Sequence, residues 1–176
     1  LARSANTTYS EGNTKASYAN NYQREAIGTI TFNSGKWYAE MKRTGNDDCH
    51  NGIVGNTYHT DGGTVTHAGT GHAYNTLGHT GSIALINGSD IYIDGSDTSV
   101  NTSGSAGNGD IVMIAFDADS KKIWFGLNGT WSSSGDPANG TNESDTYDGT
   151  ATSEFTFSIG TQSGSSGEVN FGNPSF

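Results

Sequence analysis

The stretch Gly107–Trp131, GNGDIVMIAFDADSKKIWFGLNGTW, carries the strongest indication of the fold. Within it, Ile111–Phe116 is apolar at every position, which is typical of a strand covered on both faces. The segment Ala118–Lys121, which is polar at three of its four positions, then predicts a turn. A second apolar segment, Lys122–Leu127, follows and ends at Asn128-Gly129, a dipeptide that favours tight turns. The spacing therefore predicts two core strands paired antiparallel.

The same strand pattern recurs along the rest of the chain. Gly35–Arg43 alternates, with Trp37, Ala39 and Met41 on one predicted face and polar residues on the other. The segment Gly81–Asp97 is typical of a hairpin, because two apolar arms flank polar turn residues. About nine short strands and no helical periodicity predict an all-β protein, an antiparallel two-sheet sandwich. Further predicted elements are a strand over Ala26–Phe32, a strand over Phe155–Ile159, and a long acidic loop over Ser132–Ser153.

Composition narrows the classes of function. The chain has 176 residues, enough for one domain, and 8 Lys and Arg against 18 Asp and Glu give a net charge of −10. Because the few basic residues are scattered, we expect no nucleic-acid partner. Since no apolar run approaches the roughly 20 residues of a membrane helix, we expect no membrane insertion. The chain has one cysteine, Cys49, so no intrachain disulfide can form, and it begins at Leu1, which favours a processed product or a piece of a longer chain.

Three segments together resemble SPRY domains. Gly107–Trp131 has the order Gly-Asp, buried strand, acidic turn, and aromatic-x-x-Asn-Gly; Gly35–Arg43 is similar to an early strand of the family, and Val169–Phe176 to its closing Asn-Phe-Gly segment. The family usually has Pro directly before the last Phe, whereas Ser175 intervenes here. The resemblance runs from about Ile27 to Phe176. It implies a concanavalin-like jelly roll of two bent antiparallel sheets that binds partners through loops at one edge, without catalysis.

A more specific resemblance involves Asn128–Asn142, NGTWSSSGDPANGTN, which is similar to SPRY-like modules of tailed-phage and marine viral virion proteins. It implies a structural or recognition module of a phage virion, in a tail or capsid-decorating protein. The implied partners are other virion proteins or a host-surface protein or glycan, and the module is expected to be a homo-oligomer. We expect residues 1–24 to form an N-terminal arm or edge strand and residues 25–176 the sandwich. A stand-alone carbohydrate-binding lectin is the alternative function.

Loop residues that combine aromatic rings with adaptable polar groups are the candidate binding residues. Trp131 among them has two interpretations, an anchor that packs the following loop against the sandwich or a contact for a ligand, and the anchor is favoured. The candidate partner-binding set is Asn46, Asp47, Asp48, Tyr58, His59, Tyr74, Trp131 and Tyr147.

Metal binding and catalysis have weaker support in the sequence than partner binding. The histidine spacings fit neither a strand pair nor a helix pair, which favours polar loop residues over a metal or pH-sensitive site. The Asp-rich turns do not match a calcium loop, and no G-x-S-x-G motif occurs. Glu40 and Glu168 on predicted strands are a weak indication of a glycoside hydrolase. We therefore expect no enzyme, no metal and no cofactor. The five histidines are His50, His59, His67, His72 and His79.

Overall fold

Fourteen β-strands and no α-helix occur in the part of the chain that the computed structural model describes, residues 7–18, 24–45, 49–55, 81–86, 88–148, 154–161 and 164–172. The strands form two antiparallel sheets, as expected for a concanavalin-like sandwich. The strands are β1 (Thr7–Ser10), β2 (Lys15–Tyr18), β3 (Arg24–Ile27), β4 (Lys36–Thr44), β5 (Cys49–Gly55), β6 (Ser82–Ile86), β7 (Asp90–Ile93), β8 (Ser96–Asn101), β9 (Ile111–Asp117), β10 (Lys122–Leu127), β11 (Thr130–Trp131), β12 (Asp145–Thr146), β13 (Phe155–Thr161) and β14 (Ser166–Asn170).

The larger sheet has the strand order β1-β2-β14-β4-β9-β10-β11, with β12 also paired to β10. The smaller sheet has the order β3-β13-β5-β6-β7-β8. Strands β9 and β10 pair antiparallel, with Ile114 opposite Phe125, and β9 is buried on both faces. The prediction made from Gly107–Trp131 is therefore confirmed, and so is the predicted hairpin, which forms β6 and β7.

The core lies between the two sheets and is built from alternate residues of the facing strands. Burying one such aliphatic or aromatic side chain stabilises the fold by about 1.5–3 kcal/mol. Phe116 packs edge-on against Phe155, with ring centroids 5.0 Å apart, at one end of this layer. Other members of the cluster are Met41, Ile53, Ile83, Leu85, Ile91, Ile114, Phe125, Ile159 and Val169.

The predicted strand Ala26–Phe32 is only partly present. Strand β3 ends at Ile27, and Phe32 returns to β13 as an isolated bridge. Between them the chain bulges outward, because two amides four residues apart bond to β13 carbonyls only two residues apart. Ile30 lies in this bulge and is 60% exposed, so the prediction that one strand continues from Ala26 to Phe32 is wrong.

Two segments are more ordered than their composition indicated. In the predicted arm, residues 7–18 form the β1–β2 hairpin, which extends the larger sheet through β14. The predicted loop Ser132–Ser153 includes the 3-10 turn Ser132–Ser134 and strand β12. Hydrogen bonds from Lys36 and Trp124, rather than long strand pairs, hold residues 132–144 against the larger sheet.

Among the described residues, no helix has the length and apolar character needed to cross a membrane.

Candidate functional site

The outer face of the larger sheet, which points away from the core, carries two cross-strand rows of side chains. Tyr38 on β4, Ala115 on β9 and Trp124 on β10 lie side by side in the first row. The second row runs from Glu40 through Met113 and Gly126 to Trp131 on β11. Because strand residues alternate between faces, these positions follow directly from the alternation in β4 and β10.

Two aromatic rings form a corner on this face. The rings of Tyr38 and Trp131 have centroids 6.0 Å apart and planes inclined by 71°. This edge-to-face arrangement is favoured by the ring quadrupoles. Trp131 can reach this position because Gly126 beneath it has no side chain, and a Cβ there would lie 2.9 Å from Trp131 Cε3.

Trp37, next to Tyr38 on β4, points to the opposite face of the strand and lies opposite Phe116 at the edge of the core. Its ring stacks on Phe32, with centroids 4.7 Å apart and planes inclined by 15°, and its Nε1 donates a hydrogen bond of 2.8 Å to the Ser34 carbonyl. Trp37 and Tyr38 remain 37% and 39% exposed. Both rings are therefore held by the protein while presenting surface to solvent.

The segment 132–144 folds back over the same face and forms the opposite wall. Trp124, only 1% exposed, lies beneath it and donates a 2.9 Å hydrogen bond from Nε1 to the Thr141 carbonyl. Lys36 Nζ donates to the carbonyls of Pro137 and Ala138 at 3.0 and 2.7 Å. Within the segment, the Asp136 carboxylate accepts hydrogen bonds from Asn139. These bonds fix the wall without regular secondary structure.

Between the aromatic corner and this wall lies a cleft of about 360 Å³, which we call the aromatic cleft. Ala115 contributes to its lining, which is mostly apolar. Its full lining is Lys36, Trp37, Tyr38, Ala115, Trp131, Gly135, Asp136, Pro137 and Ala138.

The polar groups around the aromatic cleft are fixed by hydrogen bonds. The Tyr38 hydroxyl donates to Glu40 Oε1 at 2.7 Å. Burial, together with this bond and the Glu40 charge, raises the pKa of Tyr38, so the phenol stays protonated and keeps donating. Hydrogen bonds from Asn139 lower the pKa of Asp136, which therefore stays ionised near neutral pH.

A second cleft, of about 530 Å³, lies beside strands β7 and β8 and is acidic. Asp94, Asp97, Asp145 and Asp148 line it. Across the described ranges, no group of three or more His, Cys, Asp or Glu side chains is arranged to hold a metal ion.

The two predicted binding residues that the structure describes, Trp131 and Tyr147, lie in different parts of the molecule. Trp131 lies in the aromatic cleft. Tyr147 is 2% exposed, its hydroxyl donates to Asp94 Oδ1 at 3.1 Å, and its ring packs edge-on against Phe155, so its side chain faces the core. The other six predicted residues, Asn46, Asp47, Asp48, Tyr58, His59 and Tyr74, lie outside the described residues.

One histidine of the predicted cluster is described. His50 lies on β5 and is buried. Burial and the nearby Arg43 charge lower the pKa of His50 to about 4, so the imidazole is neutral at pH 7. The remaining four histidines are outside the described ranges.

Glu40 and Glu168 lie on adjacent strands, β4 and β14, where Glu168 is directly opposite Lys42. Both are partly exposed on the outer face of the larger sheet. Glu40 accepts the Tyr38 hydrogen bond, which gives it a positioning role beside the aromatic cleft.

Sequence reasoning did not include Lys36, Trp37 and Tyr38 among the candidates, although they line the aromatic cleft. For Tyr38 a signal was present, since the alternation in β4 placed a large aromatic residue on the solvent face. For Lys36 none was present, because its carbonyl partners are about 100 residues away in the chain.

No family model matches the sequence, and no curated protein is significantly similar to it. Solved structures are similar in fold. The SPRY domain of human HERC1 superposes with a TM-score of 0.68 at 12% identity, covering 96% of this chain and 94% of that one. A human SPRY domain gives 0.65 at 13% identity, covering 97% and 98%, and the TRIM65 PSpry domain gives 0.69 at 12%, covering 96% and 85%. The chain therefore has the fold of SPRY domains.

Proposed function

We propose that this chain is a non-catalytic recognition module that binds a partner in the aromatic cleft. The observation that carries the proposal is the pair Tyr38 and Trp131, whose rings form a corner beside an ordered wall. Partly exposed aromatic rings supply large contact area at low cost in conformational entropy, which is why they dominate binding sites.

The rigidity of the aromatic cleft supports recognition. Tyr38 lies on a nine-residue strand, β4, inside the larger sheet, and the Lys36 and Trp124 hydrogen bonds hold the wall. A cleft that is formed before binding loses little entropy when it binds. The resemblance to SPRY domains, which implies binding without catalysis, agrees with this role.

The module is proposed to belong to a virion, as part of a tail or capsid-decorating protein and as a homo-oligomer. The support is the similarity of Asn128–Asn142 to virion modules, and this segment supplies Trp131 and the wall of the aromatic cleft. The partner would be another virion protein or a host-surface protein or glycan.

A ligand search combined with a spectroscopic map tests the proposal. The protein is screened against a random-peptide library and a glycan array, and each ligand found is titrated while the indole N–H signals of the three tryptophans are recorded. We expect selected ligands to shift the Trp131 signal and leave that of Trp124, buried beneath the wall, nearly unmoved. Ligands that bind without affecting Trp131 would place recognition elsewhere and overturn the proposal.

A further inference from the structure

We infer that the occupant of the aromatic cleft is a cationic side chain, an exposed arginine of a partner protein. The inference rests on the proposed function and names the chemistry of the ligand at that same site. It is carried by the ring geometry, by the carboxylates around the cleft, and by the hydrogen bonds that its polar groups already make.

The ring geometry suits a cation. The faces of aromatic rings are negative, and a cation placed within about 6 Å of a ring centroid is attracted to them. Tyr38 and Trp131, inclined by 71°, bound one corner of the lining. An arginine is planar and can stack on one ring while its charge interacts with the other.

A carboxylate is fixed next to the corner. Glu40 lies in the same cross-strand row as Trp131, and one of its oxygens accepts the Tyr38 hydroxyl at 2.7 Å. An ionised carboxylate can accept about four hydrogen bonds, so Glu40 has capacity for a guanidinium as well. Tyr38 thus holds Glu40 in place for a second donor.

The lysine in the cleft does not oppose this assignment. Lys36 Nζ donates to the Pro137 and Ala138 carbonyls, and its charge helps lower the pKa values of Asp117 and Asp136. Asp136 in the lining and Glu40 beside Tyr38 are the carboxylates nearest the aromatic corner and the wall. The whole chain carries −10, which favours approach of a basic partner.

A sugar would fit this lining less well. Sugars need many hydrogen bonds, and desolvated hydroxyls without partners are costly. The lining is mostly apolar, and its charged donor, Lys36, already bonds to two carbonyls of the protein. Aromatic faces plus a carboxylate match a guanidinium better than a polyol.

Titration with matched peptides tests the inference. The probes are acetyl-Gly-Ser-Arg-Ser-Gly-amide, the same peptide with neutral citrulline in place of Arg, and maltotetraose. We expect the Arg peptide to shift the Trp131 indole signal, and the citrulline peptide to bind at least about fivefold more weakly. Added salt should weaken binding of the Arg peptide, since the interacting charges are partly exposed to solvent and are therefore screened.

A pair of matched variants localises the charge effect. Glu40→Gln should weaken Arg-peptide binding by about fivefold while keeping the shape of the cleft. Glu11→Gln makes the same charge change in the turn that joins β1 and β2, on the far side of β14 from β4, and should leave binding unchanged.

Equal binding of the Arg and citrulline peptides, or no response of Trp131 to the Arg peptide, would overturn the inference. If maltotetraose or a library ligand shifts Trp131 instead, the cleft is a recognition site and only the arginine assignment falls. If no ligand affects Trp131, both proposals fall.

Discussion

Gly126 is the residue that allows Trp131 to lie across the larger sheet. Replacing it with alanine would place a Cβ 2.8 Å from the Thr130 carbonyl oxygen and 2.9 Å from Trp131 Cε3. Contacts this short are essentially absent from proteins, so Gly126→Ala must displace either the β10–β11 turn or the Trp131 ring. In both cases the aromatic corner with Tyr38 opens.

The expected cost follows from two opposing effects. Forcing an extra methyl group into a packed site costs about 1–3 kcal/mol. Replacing glycine in a strand recovers about 0.5–1 kcal/mol of conformational entropy. We therefore expect a net loss of about 1–2 kcal/mol in the free energy of unfolding, which corresponds to a Tm lower by roughly 2–8 °C.

Urea denaturation and the Trp131 indole signal together measure this effect. Gly104→Ala is the matched control, because the nearest atom to its new Cβ, Leu127 Cδ2, is 3.6 Å away. The control should change stability by no more than about 0.5 kcal/mol. If Gly126→Ala is as stable as the wild type and the Trp131 signal does not move, Trp131 does not pack over Gly126.

Three further changes have defined outcomes. Trp131→Ala should lower the Tm by several degrees, because a partly buried ring contact is lost, and thermal unfolding followed by circular dichroism would detect it. Trp124→Phe removes the hydrogen bond to Thr141 and should cost about 1–3 kcal/mol in urea denaturation, with faster amide exchange over residues 136–142; unchanged exchange would contradict the role of Trp124. The pKa of His50 is lowered to about 4 from an unfolded value near 6.5, so the unfolded state binds the proton first and stability should fall by about 2 kcal/mol between pH 7 and pH 5. His50→Gln should abolish that part of the pH dependence, and equal slopes for the two proteins would refute it.

The core strands could be predicted because the apolar pattern that marks each strand lies within the strand itself. Ile111–Phe116 is apolar throughout and became the central strand β9, while the alternation in β4 correctly placed Ala39 and Met41 inside. Prediction failed over Ala26–Phe32, where alternation continued but the chain bulges. A bulge depends on register with β13, more than 120 residues later in the chain, and no local pattern encodes it.

The candidate site was less predictable because its residues come from strands that are far apart in the chain. Trp131 was identified as a loop aromatic residue, but its partner Tyr38 lies more than 90 residues earlier on another strand. The polar residues around Tyr147 predict a loop, whereas Tyr147 directly follows strand β12 and is buried in the core. Pairing between distant strands, which composition does not reveal, decides which aromatic rings meet.

The affinity of a selected ligand for Tyr38→Ala is the most direct measurement of recognition through the aromatic cleft. Ile30→Ala is the control, because Ile30 is exposed in the bulge before β4 and does not line the cleft. We expect Tyr38→Ala to raise the Kd by at least about tenfold, as loss of a central aromatic contact does, and Ile30→Ala to leave it unchanged. Equal affinities of the wild type and of a folded Tyr38→Ala protein would contradict recognition at this site.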